Sequence, residues 1–205
     1  MFKNRVHAGK LLAQKLRDYK SETSVLVLSI PRGGVAVARV VANYLGSQLG
    51  VVVTRKIGAP GQEELAIGAI APDGRGLFDR QLIKRLGVGR EYIDKKVKEE
   101  KLKIKMRLEK FQTRAPRIKG KIVILVDDGI ATGATAEAAV AYLRRRKPKK
   151  IVLAIPVAPK DTVEKLKGLV DDLIVLQTPP HFGAVGQFYR DFPQVSDEEV
   201  VKLLQ

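Results

Sequence analysis

Four runs of consecutive apolar, largely β-branched residues punctuate the chain: Val25–Ile30, Gly50–Thr54, Ile122–Val126 and Ile151–Ile155. Runs of this length without polar alternation predict strands covered on both faces, as in a parallel sheet under helices. Leu65–Ala71 and Leu173–Leu176 predict two more strands. Between them, apolar positions recur at helical spacing over residues 5–19, 35–45, 79–86, 91–111 and 134–145. Pro156–Lys167 reads as a loop and helix, and Ser196-Asp197-Glu198-Glu199 has the composition of a start for a last helix ending at Leu204.

Strands alternating with helices predict a doubly wound, mainly parallel α/β sheet, with ligand at the carboxyl ends of the strands. At 205 residues the pattern fits one domain. Within residues 91–111, Ile93, Val97, Ile104, Leu108 and Phe111 form a narrow apolar stripe among many Lys and Glu. This predicts an inserted helical hood over residues 75–115, ended by Ala115-Pro116. Residues 178–205 form a cover segment in which Phe182, Phe188, Tyr189 and Phe192 gather. They offer a stacking surface for a planar ring, or a tail packed on the core edge.

The strand Ile122–Val126 ends in Asp127-Asp128-Gly129-Ile130-Ala131-Thr132-Gly133-Ala134-Thr135, and a helix follows. The small residues Ala131 to Thr135 let backbone N–H groups approach a ligand, and the helix start favours an anion. A phosphate fits such a nest. Two carboxylates beside a phosphate nest repel the phosphate unless they serve something else. Sugar hydroxyls or a divalent cation fit that need. The combination predicts a sugar-phosphate site. A P-loop is excluded by the missing Gly-Lys-Thr ending, and no G-x-G-x-x-G follows a candidate strand.

A second strand–loop–helix unit runs through Pro31-Arg32-Gly33-Gly34, where Arg32 offers a forked donor and the two glycines permit close approach. Arg55-Lys56-Ile57-Gly58-Ala59-Pro60 places two cations at the end of a further strand, with Glu63 and Glu64 in the loop after it.

The stretch Val126–Thr135 resembles the phosphoribosyl-pyrophosphate (PRPP) signature of the type I phosphoribosyltransferases. The hood and the Phe-Tyr-Arg-Asp-Phe tail resemble a little-characterised branch of that family. The resemblance implies transfer of ribose 5-phosphate from PRPP to a nitrogen acceptor, nucleobase-like, with release of pyrophosphate. It implies Ala131, Thr132, Gly133, Ala134 and Thr135 at the 5-phosphate and Asp127 and Asp128 at the ribose hydroxyls. Mg²⁺ would be met indirectly through those two carboxylates. Arg32, Gly33 and Gly34 fall at the pyrophosphate, in a loop that in the family often has unusual peptide geometry, and Lys56 is a further pyrophosphate contact. Arg55-Lys56 resembles the start of the flexible loop of the adenine-type enzymes. Ile130, Phe182, Phe188 and Tyr189 are candidates for the acceptor. Where hypoxanthine-guanine enzymes have an Asp before Thr-Gly, this chain has Ala131, as adenine-type enzymes do. That argues against a 6-oxopurine handled in their manner. A homodimer is the family's usual state.

Charge adds one alternative. The formal net charge is +16, with eight Lys and Arg against two Asp and Glu in residues 1–50 but five against eight in 151–205. A basic body suits a polyphosphate substrate, or a nucleic acid bound by a PRPP-sensing regulator. A sugar-phosphate binder or hydrolase without transfer is a third class. With no cysteine and no apolar run of signal-peptide or membrane-span length, the expectation is a cytoplasmic protein without a membrane partner.

Overall fold

The computed structural model describes residues 1–113 and 116–205; the expected stop at Ala115 lies outside the described residues. In chain order the elements are α1 (Arg5–Lys15), a short 3-10 turn (Arg17–Ser21), β1 (Val25–Ser29), α2 (Gly33–Leu45) and β2 (Gln48–Val51). Then come β3 (Arg55–Ala59), β4 (Gln62–Ile70), β5 (Gly76–Phe78), α3 (Arg80–Arg85) and α4 (Arg90–Lys110). The chain continues through β6 (Ile122–Val126), α5 (Ala134–Arg145), β7 (Lys150–Val157), α6 (Lys160–Lys167), β8 (Asp172–Gln177) and α7 (Asp197–Leu204).

The main sheet is parallel, in the order β2-β1-β6-β7-β8. Every residue of β1 and β6 is buried, as their unbroken apolar runs require. Alternate side chains serve opposite faces. Leu26, Leu28, Val123, Leu125 and Leu153 pack against Ala139, Val140 and Leu143 of α5 and Leu166 of α6. Val25, Val27, Ile122, Ile124 and Val152 pack against Leu12 of α1 and Val37, Ala38 and Val41 of α2. The doubly wound expectation is met.

A second, antiparallel sheet, β3-β4-β5, was not predicted. Its inner residues Ile57, Ile67 and Ile70 share a core with Ile104 of α4, Phe111 just beyond its end, and Val200 of α7. The predicted stripe on α4 is therefore its packing face, with Ile93, Val97 and Leu108 at the margin. Three placements differ from the sequence reading. Val52 to Thr54 lie beyond β2, and Arg55-Lys56 open a strand instead of closing one. Glu63 and Glu64 stand on β4, not in a loop. Pro156 remains inside β7, where α6 was expected to be already approaching. At Arg55-Lys56, at Glu63-Glu64 and at Pro156, long-range pairing overrides a local Gly or Pro signal.

The helix ends follow capping chemistry. Asn4 accepts from the His7 N–H at 2.9 Å to start α1, and Ser196 and Glu199 form the capping box expected of α7. The N-terminus of α5 is different. Gly133 stands at its cap with φ 84°, and no side chain caps it. Its first N–H groups are left for another partner.

Candidate active site

Strands β1 and β6 are neighbours, and both run toward the same edge of the sheet. Their following loops therefore meet at the carboxyl ends, and the Ile30 N–H still bonds the Val126 carbonyl at 3.0 Å. The β1 loop contains a cis Pro31–Arg32 peptide bond. The β6 loop holds Asp127 and Asp128. Their contact excludes any side chain between them: a Cβ on Gly33 would sit 1.9 Å from Asp128 Oδ2, and one on Gly34 would sit 2.8 Å from Asp127 Oδ1. Glycine is the one residue that lets the turn close on the carboxylates.

The two carboxylates are held differently. The Asp128 N–H donates to Asp127 Oδ1 at 2.8 Å. Desolvation, with the Asp128 charge adjacent, pushes the Asp127 carboxyl well above the usual carboxylate range. Asp128 accepts from Arg5 Nε at 2.7 Å, in a pair that is 10% and 14% exposed. Arg5 also donates through Nη1 to the Pro193 carbonyl at 2.7 Å, and its guanidinium lies 3.7 Å from the centre of the Phe192 ring. Tyr189 donates its hydroxyl to the Asp128 carbonyl.

The loop after the acidic pair is anchored from outside. Thr162 Oγ1, on α6, donates to the Ala131 carbonyl at 2.6 Å. Ala131 and Thr132 are exposed, Ala134 and Thr135 half-buried, and Gly133 buried at the turn. Two clefts flank this loop. One of about 610 Å³ lies between Ala131, Thr132, Ala134 and the β4–β5 wall of Leu65, Leu77 and Phe78. The other, of about 300 Å³, lies between Pro31, Thr135, β3 and α4. Lys56 lines both, with Nζ 2.6 Å from Glu64. Arg32 Nη1 lies 3.7 Å from Asp197 Oδ1 on α7.

The structure brings Gly33, Gly34, Asp127 and Asp128 into direct contact, and sets Arg32, Lys56 and the Ala131–Thr135 loop around them. Two of the acceptor candidates are buried. Ile130, 4% exposed, is core, its N–H bonded to Val157. Tyr189 is 5% exposed and packs on Phe2 and Phe192, so it is not free to stack a ring. Phe182 and Phe188 stack on each other with centroids 5.1 Å apart. The cover segment is packed on the core edge, the second of its two readings. Arg5 was missed entirely, because a partner 123 residues away leaves no local pattern.

The Asp127 environment makes a stability prediction. The folded carboxyl binds its proton more tightly than the unfolded chain does. Stability therefore falls as pH rises from the ordinary carboxylate range through the raised value. An Asp127→Asn variant keeps an oxygen for the Asp128 N–H and removes this penalty. Its Tm is expected to exceed wild type by a few degrees at pH 8, with the gap closing toward pH 4. Parallel Tm–pH curves would contradict the shift.

A parallel sheet with two carboxylates and a small-residue loop where the strands end defines an α/β protein whose candidate site lies at the carboxyl ends of the strands. Known proteins make the class specific. Residues 69–193 match the phosphoribosyl transferase domain. A Mycobacterium tuberculosis protein, named provisionally as a phosphoribosyl transferase, is 42% identical over 206 residues, covering 100% of this chain and 46% of its own length. The crystal structure of TT1426 from Thermus thermophilus is 38% identical with a TM-score of 0.84, covering 100% of this chain and 97% of that one. A purine phosphoribosyltransferase from Pyrococcus horikoshii shares the fold at 17% identity and a TM-score of 0.50, over 94% and 93% of the two chains. The chain belongs to the phosphoribosyl transferase family. It spans about half the length of the curated relatives it matches. No described helix is long and apolar enough to cross a membrane.

Proposed function

We propose that the protein transfers ribose 5-phosphate from PRPP to a nucleobase-like nitrogen, releasing pyrophosphate. One observation carries this reading: the Gly33–Gly34 turn meets the Asp127–Asp128 pair with no room for a side chain, beside an uncapped helix start. Such a junction suits a ligand with a sugar diol between two phosphate groups. The 5-phosphate sits on the Ala131–Thr135 loop, where α5 supplies free N–H groups and a favourable dipole. Asp127 and Asp128 accept the 2- and 3-hydroxyls. With Asp128 already holding Arg5, Asp127 has more of its capacity free.

The bond between the anomeric carbon and the pyrophosphate oxygen breaks, and its electron pair leaves with pyrophosphate. The acceptor nitrogen forms the new bond and loses its proton. Positive charge on the sugar develops near the carboxylates, and negative charge develops near Arg32 and Lys56. Catalysis is positioning and electrostatics. Among the described residues no cluster of three metal-ligating side chains occurs. Two adjacent carboxylates fit a Mg²⁺ that arrives with the donor's oxygens, where it supplies charge neutralisation of the leaving group.

The test is calorimetric titration of PRPP, with and without Mg²⁺, into wild type and the Asp127→Asn/Asp128→Asn double variant. Wild type is expected to bind, and the variant to bind about 100-fold more weakly or worse, given roughly 1.5–3 kcal/mol per charge-assisted hydrogen bond. Absence of binding by wild type would remove the transferase reading and bring salt-dependent nucleic-acid binding forward.

A further inference from the structure

The 300 Å³ cleft is lined on one side by a polar face of α4, next to the helix's apolar packing stripe. Lys96, Glu100, Lys103 and Arg107 recur at helical spacing along that face. Four of the cleft's cations have acids in place. Arg55 and Lys103 share Glu100 at 2.7 and 2.5 Å, Lys56 pairs with Glu64 at 2.6 Å, and Lys96 lies 3.9 Å from Glu63. Arg107 differs. It is half-buried, and among the described residues its side chain has no ion pair or hydrogen bond. Burial, with the Arg55 and Arg32 charges nearby, pushes its guanidinium pKa down, and Asp197 only partly opposes this. Thr54 also lines the cleft. It is 8% exposed, and its hydroxyl is buried without a partner.

An unpartnered buried hydroxyl and an unpaired, half-buried guanidinium both destabilise the protein alone. Both are satisfied together by an anion with several acceptor oxygens. The walls of the cleft show where such an anion would lie. Pro31 belongs to the turn at Gly33–Gly34, and Thr135 belongs to the anion loop. We infer that Arg107, with Thr54, seats the outer phosphate of the leaving pyrophosphate, so that the inserted helix α4 is part of the active site and not only a cover. This deepens the proposed transfer and rests on it for the ligand's identity. Arg107 is then a leaving-group residue on a helix anchored by Ile104 on its packing face and by Phe111 at its end.

The experiment titrates inorganic pyrophosphate and, separately, ribose 5-phosphate into wild type, Arg107→Gln and Thr54→Val, each with Mg²⁺ and a melting curve. Arg107→Gln is expected to weaken pyrophosphate about 10- to 100-fold and leave ribose 5-phosphate unchanged. Thr54→Val is expected to weaken pyrophosphate while its Tm stays level or rises, because it deletes an unpaired hydroxyl at constant shape. A merely structural role for Thr54 would not separate these two readouts. Unchanged pyrophosphate affinity in Arg107→Gln, parallel loss of both ligands, or no pyrophosphate binding by wild type would each overturn the assignment. Wild type that binds pyrophosphate through Arg107 but does not bind PRPP would uphold this seat and remove the transfer.

Discussion

Arg5→Met is expected to destabilise the protein by about 3–5 kcal/mol, the cost of breaking a buried ion pair from one side. The reason is geometric. Arg5 Nε holds Asp128 at 2.7 Å, Nη1 holds the Pro193 carbonyl at the same distance, and the guanidinium plane covers Phe192. Methionine keeps some packing on Phe192 but leaves the Asp128 carboxylate and the Pro193 carbonyl without their donor. For a domain of this size the Tm should fall by roughly 6–20 °C. Thermal and urea melts at pH 7 measure it, and the Arg5→Met/Asp128→Asn double variant should recover part of the loss. A single variant within about 1 kcal/mol of wild type would show that the pair behaves as an exposed one.

The second large effect belongs to Gly33→Ala. One added carbon would sit 1.9 Å from Asp128 Oδ2 and 3.0 Å from Arg5 Nε. Real contacts cannot be that short, so either the carboxylate or the β1 turn must move. Because Arg5 and the Tyr189 hydroxyl hold Asp128, the turn and the carboxylate would share the displacement. The stability cost is that of overpacking, about 1–3 kcal/mol. The effect on ligand is larger. Separating the two halves of the site by about 1 Å should cost about 100-fold in turnover, or a comparable factor in PRPP affinity. Gly46→Ala is a control for the glycine change itself, since a Cβ there meets nothing within 4 Å and only its φ of 64° is strained. Wild-type PRPP affinity in Gly33→Ala would show that the turn and the carboxylate are not coupled.

The comparison of chain and structure separates two kinds of information. Strands β1, β6 and β7 were legible because full burial on both faces demands an unbroken apolar run, and Ile122–Val126 can do little else. The acidic pair and the small-residue loop were legible because that chemistry is contiguous. The β3–β5 sheet was not. Leu65–Ala71 was read as a strand, but nothing in the sequence marked its partners: Gly58 stood in an expected Gly/Pro loop, and a Cβ at Gly68 would strike Phe78 across the sheet at 2.5 Å. They are glycines because the sheet is tightly packed, and only the pairing reveals that. Arg5 was invisible for the same reason, and so was the burial of Tyr189, whose ring packs on Phe2 and Phe192.

The strand order has a consequence for how the chain acquires this structure. β1 lies between β2, which follows it closely, and β6, whose Ile122 pairs with Val25 only after the whole hood has been made. At translation rates of about 5–20 residues per second, one edge of β1 waits roughly 5–20 s for its neighbour. During that interval an all-apolar strand stands with unpaired backbone groups, an invitation to intermolecular pairing. The nascent chain should therefore be most dependent on chaperones between synthesis of α2 and of β6, and a ribosome-bound fragment halted within the hood should be the most aggregation-prone length.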